Sequence, residues 1–343
     1  MIFFLVTKDG RHVLDKYLAS WGGEFFERVR VVPYATLPEP RRFEPGVYVF
    51  ADLERLSPDG RRAAGRVWAQ LAQEPERYHL LNHPERSLDR RGLLQALHER
   101  GLNDHGVDQL DDWAGLSRYP VFLRRAGDHV GPRTPLLWDA GEVESAIAES
   151  RREHGDLSDW IVVEFTDCSD DAGYHRKYAA MMLDGVLIPR HLFVSRNWVQ
   201  KWADLRGGTW AEEELAYVRD GAHAELLRPI FELAGLQYGR IDYSIGKNGL
   251  QVWEINTNPI LLDAFDRKDT LRLDAHRLFA KAWGQAFGAL CARAPEPTLR
   301  LGGPGRLVDR AFVEKERLKE TPPGRWLRRL NHRLAGSRRR TSA

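Results

Sequence analysis

Cysteine is nearly absent. Two in 343 residues, Cys168 and Cys291, exclude a disulfide framework, and no Cys/His cluster has the spacing of a zinc site. Long apolar runs are missing too, and none approaches the ~18 residues of a membrane span. The opening Ile2-Phe3-Phe4-Leu5-Val6 is too short for the apolar segment of a signal peptide, and Lys8 and Asp9 follow it. A folded cytoplasmic protein, holding any metal through oxygen, is the expectation. Lysine is scarce as well, with nine among 51 basic residues, so an arginine at one position says less here than elsewhere.

What is present suits a globular protein. The 43% hydrophobic content is ordinary, and at about 150 residues per domain the length predicts two or three domains. The net charge of +2 is uneven. Residues 321–343 hold seven arginines and no acid, whereas residues 1–320 carry 44 basic against 49 acidic residues. In that tail Trp326, Leu327, Leu330 and Leu334 fall near helical spacing among arginines. The pattern fits a basic amphipathic helix for an anionic partner such as nucleic acid or a membrane surface, and equally a helix docked on its own body.

The pattern along the chain predicts a mixed α/β fold. Apolar strand-like runs at 3–7, 29–33, 47–53 and 78–81 alternate with helical spacing at 12–21 and on a helix starting near Ser57-Pro58, which predicts a parallel sheet over residues 1–82. A second unit, 83–157, has Leu93, Leu94 and Leu97 on one helix face, Gly101 as a stop, a strand at 119–123, a loop at 126–135 and a helix from 142. A third, 158–294, opens with a strand at 160–165. A hairpin follows at Asp184-Gly185, then a helical region at 211–233 with a break near Pro229, and the apolar stripe of a last long helix through Trp283 and Phe287. Residues 295–343 read as a linker and basic tail. No internal repeat is evident.

The chemistry concentrates in Gly239-Arg240-Ile241-Asp242-Tyr243-Ser244 and Trp253-Glu254-Ile255-Asn256-Thr257-Asn258-Pro259. Strand alternation projects Glu254 and Asn256 together, and likewise Arg240, Asp242 and Ser244. A carboxylate and an amide oxygen two residues apart, completed by a carboxylate across a hairpin, make a Mg²⁺ site that still needs phosphate oxygens. A two-residue Asn248-Gly249 loop would put Asp242 opposite Ile255, on the wrong face from Glu254. The three-residue loop Lys247-Asn248-Gly249, with Gly249 left-handed, pairs Asp242 with Glu254 and is the one predicted.

These two segments resemble the ATP-grasp superfamily, in particular its D-alanine–D-alanine ligase, glutathione synthetase and ribosomal-protein glutamate ligase branches. The resemblance spans residues 81–262 and implies an α/β pre-ATP-grasp domain followed by two α+β subdomains clamping the nucleotide. It assigns Asp242, Glu254 and Asn256 to Mg²⁺ (or Mn²⁺) on ATP, and Arg240 to a developing oxyanion, aided by backbone N–H groups near Asn258. Upstream, Tyr119-Pro120-Val121-Phe122-Leu123-Arg124 resembles the strand that ends in a phosphate-binding lysine, here Arg124. The loop after it resembles the glycine-rich phosphate flap, with His129 and Arg133 available. Ile161-Val162-Val163-Glu164-Phe165 resembles the adenine-recognising hinge, with Asp167 or Asp170 in reach of the ribose. Tyr174-His175-Arg176-Lys177-Tyr178 resembles a segment that offers a basic residue, Arg176 or Lys177, to phosphate or substrate. Leu81-Asn82-His83-Pro84 with Arg90 and Arg91 resembles the start of the central domain, where relatives carry a second nucleotide-binding lysine; Arg91 is the residue assigned.

The resemblance implies an ATP-dependent ligase joining a small-molecule carboxylate, such as an amino acid or peptide, to an amine or thiol through an acyl phosphate. A homo-oligomer is also compatible with it. Two other activities fit the same residues: a phosphotransferase on the same fold, and a nucleotide-binding sensor or scaffold whose basic tail holds an anionic partner. Cys168, His191 and the pair Trp198 and Trp202 read more simply as packing residues than as chemistry, with a wall of a substrate pocket as the alternative for one of the two tryptophan rings.

Overall fold

The computed structural model describes residues 1–37, 43–115, 118–201, 203–263 and 265–294. Trp202 and the linker and tail at 295–343 lie outside the described residues.

The first layer is a parallel sheet in the order β2-β1-β3-β4, built from β1 (Ile2–Val6), β2 (Val29–Pro33), β3 (Gly46–Phe50) and β4 (Tyr78–Leu81). Every residue of β1 and β3 is buried, as continuous apolar runs require when helices cover both faces of a parallel sheet. Helix α1 (His12–Ser20) buries Val13, Leu14, Tyr17 and Leu18, and α2 (Pro58–Leu71) starts where Ser57 Oγ accepts the Gly60 N–H, with Pro58 at the first helical position.

The central layer is an antiparallel sheet, β5-β7-β6, made of β5 (Val107–Gln109), β6 (Val121–Arg125) and β7 (Trp160–Glu164). Helix α3 (Arg90–Glu99) begins at Asp89, whose carboxylate accepts the Gly92 N–H, and α4 (Ala140–His154) begins at Asp139 in the same manner. The three-residue β5 is too short to leave a strand pattern in the sequence. The loop at 126–139 folds back on β6, where Arg133 N–H donates to the Leu123 carbonyl at 2.7 Å and Thr134 Oγ1 accepts the Leu123 N–H.

The third layer is a four-stranded antiparallel sheet, β11-β10-β8-β9. Its strands are β8 (His175–Leu183), β9 (Val186–Ser195), β10 (Tyr238–Gly246) and β11 (Gly249–Asn256). Asp184 and Gly185, both at positive φ, close the β8–β9 hairpin as expected. The helical region after β9 divides into α5 (Thr209–Asp220) and α6 (Ala224–Ala234) at Gly221, not at Pro229. Gly221 takes the left-handed conformation that ends a helix, whereas Pro229 is tolerated inside α6.

The last helix, α7 (Leu273–Arg293), fills the space between the first and third layers. Trp283 and Phe287 are fully buried, with Phe287 against Phe4 and Trp283 against Tyr17 and Tyr238. Burial of each such side chain contributes roughly 1.5–3 kcal/mol, so one continuous core holds these layers together. Asn82, at the end of β4, reinforces the joint: its side chain accepts N–H groups of Gln237 and Tyr238 and donates to the carbonyls of Phe50 and Tyr238. Among the described residues no helix is long and apolar enough to cross a membrane.

Candidate active site

Asp242 stands opposite Glu254 on β10 and β11, as the sequence requires for a shared site, but the route differs from the one expected. Gly246 pairs with Gly249, which leaves only Lys247 and Asn248 in the turn, with Gly249 at φ +113°. That register alone would set Asp242 against Trp253. A bulge between Tyr243 and Asp242 takes up Trp253 as the extra residue and restores the pairing of Asp242 with Glu254. Trp253 is held at the bulge by a hydrogen bond from Nε1 to Ser244 Oγ (2.9 Å) and by stacking on His105.

The hairpin face carrying Arg240, Asp242, Glu254 and Asn256 borders a cavity of about 450 Å³. Asp242 is paired with Ala179 across β8, so Lys177, two residues away, shares its face. The Asp242 carboxylate accepts from Arg240 Nε (2.7 Å) and Nη2 (3.3 Å) and from Lys177 Nζ (3.3 Å). Glu254 Oε2 accepts from Arg124 Nη2 at 3.2 Å and from Arg90 Nη2. Two carboxylates thus face four cations.

The charges tune one another. Burial pushes the Glu254 carboxyl upward, but Arg90 and Arg124, with His129 and Lys177 behind them, hold it well below the ordinary carboxylate range. Burial, with Arg90 beside it, lowers the Arg124 guanidinium to about 10. No group of three acidic, histidine or cysteine side chains that could hold a metal occurs among the described residues. The donor set fits a hard cation that arrives with a polyanion: Asp242, Glu254 and the Asn256 amide oxygen supply too few ligands alone, and the surplus of positive charge disfavours a bare cation.

The first layer supplies the floor. Glu54, in the turn Leu53–Arg55 after β3, accepts the Thr257 N–H (3.2 Å) and the Thr257 hydroxyl, and lies 3.3 Å from His129 Nε2. Burial raises its pKa, yet His129 and Thr257 outweigh this and lower it. Asn258 Nδ2 donates to the Gly10 carbonyl at 3.0 Å. A Cβ at Gly10 would lie 2.3 Å from Asp52 Oδ2 and 2.7 Å from Asn258 Nδ2, so this close approach needs glycine.

One end of the cavity is an apolar slot of Phe122, Phe165, Trp198 and Val199, with the Phe122 and Phe165 rings 5.1 and 5.4 Å from Trp198. Thr166 Oγ1 and Gln200 Oε1 lie there without protein partners. The other end reaches His12, Val13, Arg55 and Ile260. The apolar end offers aromatic surface for a ring to pack against, and the cationic side chains suit phosphates.

Of the residues singled out in the sequence, Arg124, His129, Phe165, Lys177, Arg240, Asp242, Glu254, Asn256 and Asn258 line the cavity. Arg176 does not. It lies on the opposite face of β8 from Lys177, bound to Asp170 and Glu213 at 2.6 Å each, because adjacent strand residues point apart. Arg91 is also off the wall, and it is Arg90 that reaches Glu254. Arg133 is turned to Asp128. The Glu164 carboxylate accepts the Gly106 and Arg118 N–H groups away from the cavity, and its own N–H and that of Phe165 serve the sheet and the Pro120 carbonyl. Asp167 caps Ser169 at the surface.

Glu54 and Gln200 carry no motif that the sequence singles out, whereas Trp198 of the Trp198 and Trp202 pair does line the cavity. Glu54 carried one usable signal, its place just beyond the carboxyl end of a parallel strand, where open α/β sheets bind ligands. Cys168 is buried, its thiol pushed up to about 12 by burial and by Asp167 and Asp104, which leaves it a packing residue. His191, stacked on Phe193 and held neutral by burial beside Arg190, is likewise structural.

No protein-family model and no curated protein matches the chain. Among solved structures, it is similar to D-alanine–D-alanine ligase from Bacillus anthracis complexed with ATP, at 13% identity and a TM-score of 0.45, over 86% of this chain and 100% of that one. A RimK domain ATP-grasp protein from Sphaerobacter thermophilus has 15% identity and a TM-score of 0.46, over 82% and 99%. VanG D-Ala:D-Ser ligase from Enterococcus faecalis has 12% identity and a TM-score of 0.46, over 83% and 99%. The architecture is mixed α/β, a parallel layer followed along the chain by two antiparallel layers.

Proposed function

We propose that the chain is an ATP-dependent ligase that joins a carboxylate to an amine through an acyl phosphate. The observation that supports it most is the pairing of Asp242 with Glu254, beside Asn256, on the wall of a cavity that Arg124, Lys177 and Arg240 also line. The base ring packs against the apolar end of the cavity, lined by Phe122, Phe165 and Trp198. Arg124 holds the phosphates, and Lys177 spreads the charge that develops as the γ-phosphoryl leaves. Mg²⁺, when bound by Asp242, Glu254 and Asn256, supplies neutralisation of the phosphate oxygens.

In the first step a substrate carboxylate oxygen bonds to the γ-phosphorus and the bond to ADP breaks. In the second the amine nitrogen attacks the acyl carbon, the C–O bond to phosphate breaks, and the amine loses a proton. Arg240, which also borders the cavity, is the guanidinium that stabilises the oxyanion of the tetrahedral intermediate in this reading. The loop at 126–135 covers the middle of the cavity and keeps water from the acyl phosphate.

Substrate-dependent ADP release, scored with mass spectrometry against a panel of amino acids and small peptides, tests the reading. The product should be lighter than its summed substrates by one water, and free phosphate should appear with ADP. Replacing both Glu254 and Asn256 by alanine should lower turnover by about 10²-fold or more, the scale for removing a group that stabilises developing charge. Unchanged Mg²⁺-dependent turnover in that variant would refute the site, and a phosphorylated end product would make the chain a kinase.

A further inference from the structure

Arg90 is 5% exposed and opens α3, yet its side chain serves the loop after β6. Nη1 donates to the carbonyls of Arg125 (3.1 Å) and Asp128 (2.9 Å) and also to that of Ala126, while Nη2 donates to Glu254 Oε2. Nε is buried without a partner, and the residue does not border the cavity. A guanidinium committed in this way has little to offer a phosphate. The same loop is seated at two further points. A Cβ on Gly127 would lie 2.5 Å from the Glu54 carbonyl, and His129 sits between the Glu54 carboxylate and the Asn256 amide.

We propose that Arg90 is a positioning residue that ties the closed flap, residues 126–135, to the Glu254 carboxylate. The guanidinium is a rigid planar fork, so its hold on two flap carbonyls, those of Ala126 and Asp128, and on the Arg125 carbonyl at the end of β6 reinforces its hold on Glu254. Loosening either end loosens the other, and by linkage the flap's closure and the orientation of Glu254 are coupled. Arg124, which shares Glu254 and does line the cavity, is left as the arginine for the nucleotide. The inference rests on the reading of Glu254 as a cation ligand.

Limited trypsin digestion of the nucleotide-free protein tests it, because cleavage after Arg125 and Arg133 reports the population of the open loop. Arg90→Met should speed that cleavage about tenfold, equivalent to a loss of ~1.4 kcal/mol of closure. Arg90→Lys, which keeps the charge without the fork, should fall between. Glu254→Gln should speed it too, although no hydrogen bond joins Glu254 to the loop, and Arg91→Met should leave it unchanged. In calorimetry Arg90→Met should bind ATP within about threefold of the parent, while kcat falls more than KM rises.

Cleavage at the parental rate in both Arg90 variants would overturn the proposal. So would parental cleavage in Glu254→Gln alongside fast cleavage in Arg90→Met, which would make Arg90 a loop support unconnected to Glu254. A loss of ATP affinity in Arg90→Met as large as in Arg124→Met would make it a phosphate ligand instead. If Arg90→Met does not fold, Arg90→Lys and Glu254→Gln carry the same decision. Digestion needs no nucleotide, so its outcome is separate from any failure of the parent protein to bind Mg²⁺–ATP.

Discussion

Arg124 shows how much a single side chain can be asked to do. It touches Glu254 through Nη2 and still lines the cavity, a double duty that a planar group with five donors can meet. A lysine at this place has one compact ammonium and must choose. Arg124→Lys is therefore expected to raise KM for ATP about tenfold and to leave kcat within about threefold, a loss of binding common to ground and transition states. Steady-state kinetics decide it: a fall in kcat with KM unchanged would place Arg124 at the reacting phosphoryl group. At this scale alternation within strands made Arg240, Asp242, Glu254 and Asn256 legible, since side-chain period depends on local geometry alone. It could not choose between Arg176 and Lys177, or between Arg90 and Arg91. Those choices are set by the register of β8 against β10 and by the rotation of α3, which depend on distant packing. Glu54 was hidden for the same reason, being about 200 residues from the Thr257 it holds.

Elements meet through a few side chains, and Asn82 is the clearest. It joins the end of β4 to the beginning of β10 by three side-chain hydrogen bonds and to Phe50 of β3 by a fourth, while fully buried at φ +66°. Asn82→Ala strands several buried backbone groups, each costing about 1–3 kcal/mol, and some of the loss is recovered by local relaxation. A loss of about 3 kcal/mol or more is expected in denaturant unfolding, and nearly as much for Asn82→Gly, which tolerates the positive φ. Recovery by glycine would show that backbone conformation, and not the amide, is what the position requires. Turn and cap chemistry read well at this scale: Ser57-Pro58 starts a helix and Asp184-Gly185 closes a hairpin as their local preferences dictate. The bulge at Trp253 did not. It arises from a ladder that must satisfy both a tight turn at Lys247-Asn248 and the stacking of Trp253 on His105, and the second demand lies far off in sequence.

Over the whole molecule the layers were legible because alternation of strand and helix is a repeated local signal, whereas their joining through α7 is a matter of tertiary packing. The molecule also carries buried neutral histidines whose effect is collective. Burial lowers His105 from 6.5 to about 4, and burial together with Arg190 and Arg272 lowers His276 to about 2. Each is neutral in the folded state and takes up a proton near 6.5 once unfolded. Their contribution is therefore complete above pH 6.5 and is lost as pH falls toward the folded-state values. His105 alone accounts for roughly 3 kcal/mol at the acid end of that range, at about 1.4 kcal/mol per pH unit. Glu254 and Glu54, depressed below 4.5, add their own loss only below that value. Between pH 6.5 and 4.5 the decline thus belongs to the histidines. Unfolding midpoints measured at steps across this range should fall steadily in the parent and less steeply in His105→Phe, which keeps an aromatic ring on Trp253 but cannot titrate. The slope is the quantity to compare, since the substitution also removes the hydrogen bond with Asn103 and lowers stability at every pH. Equal slopes would show that His105 is protonated as readily in the folded chain as in the unfolded one, and that the acid sensitivity has another source.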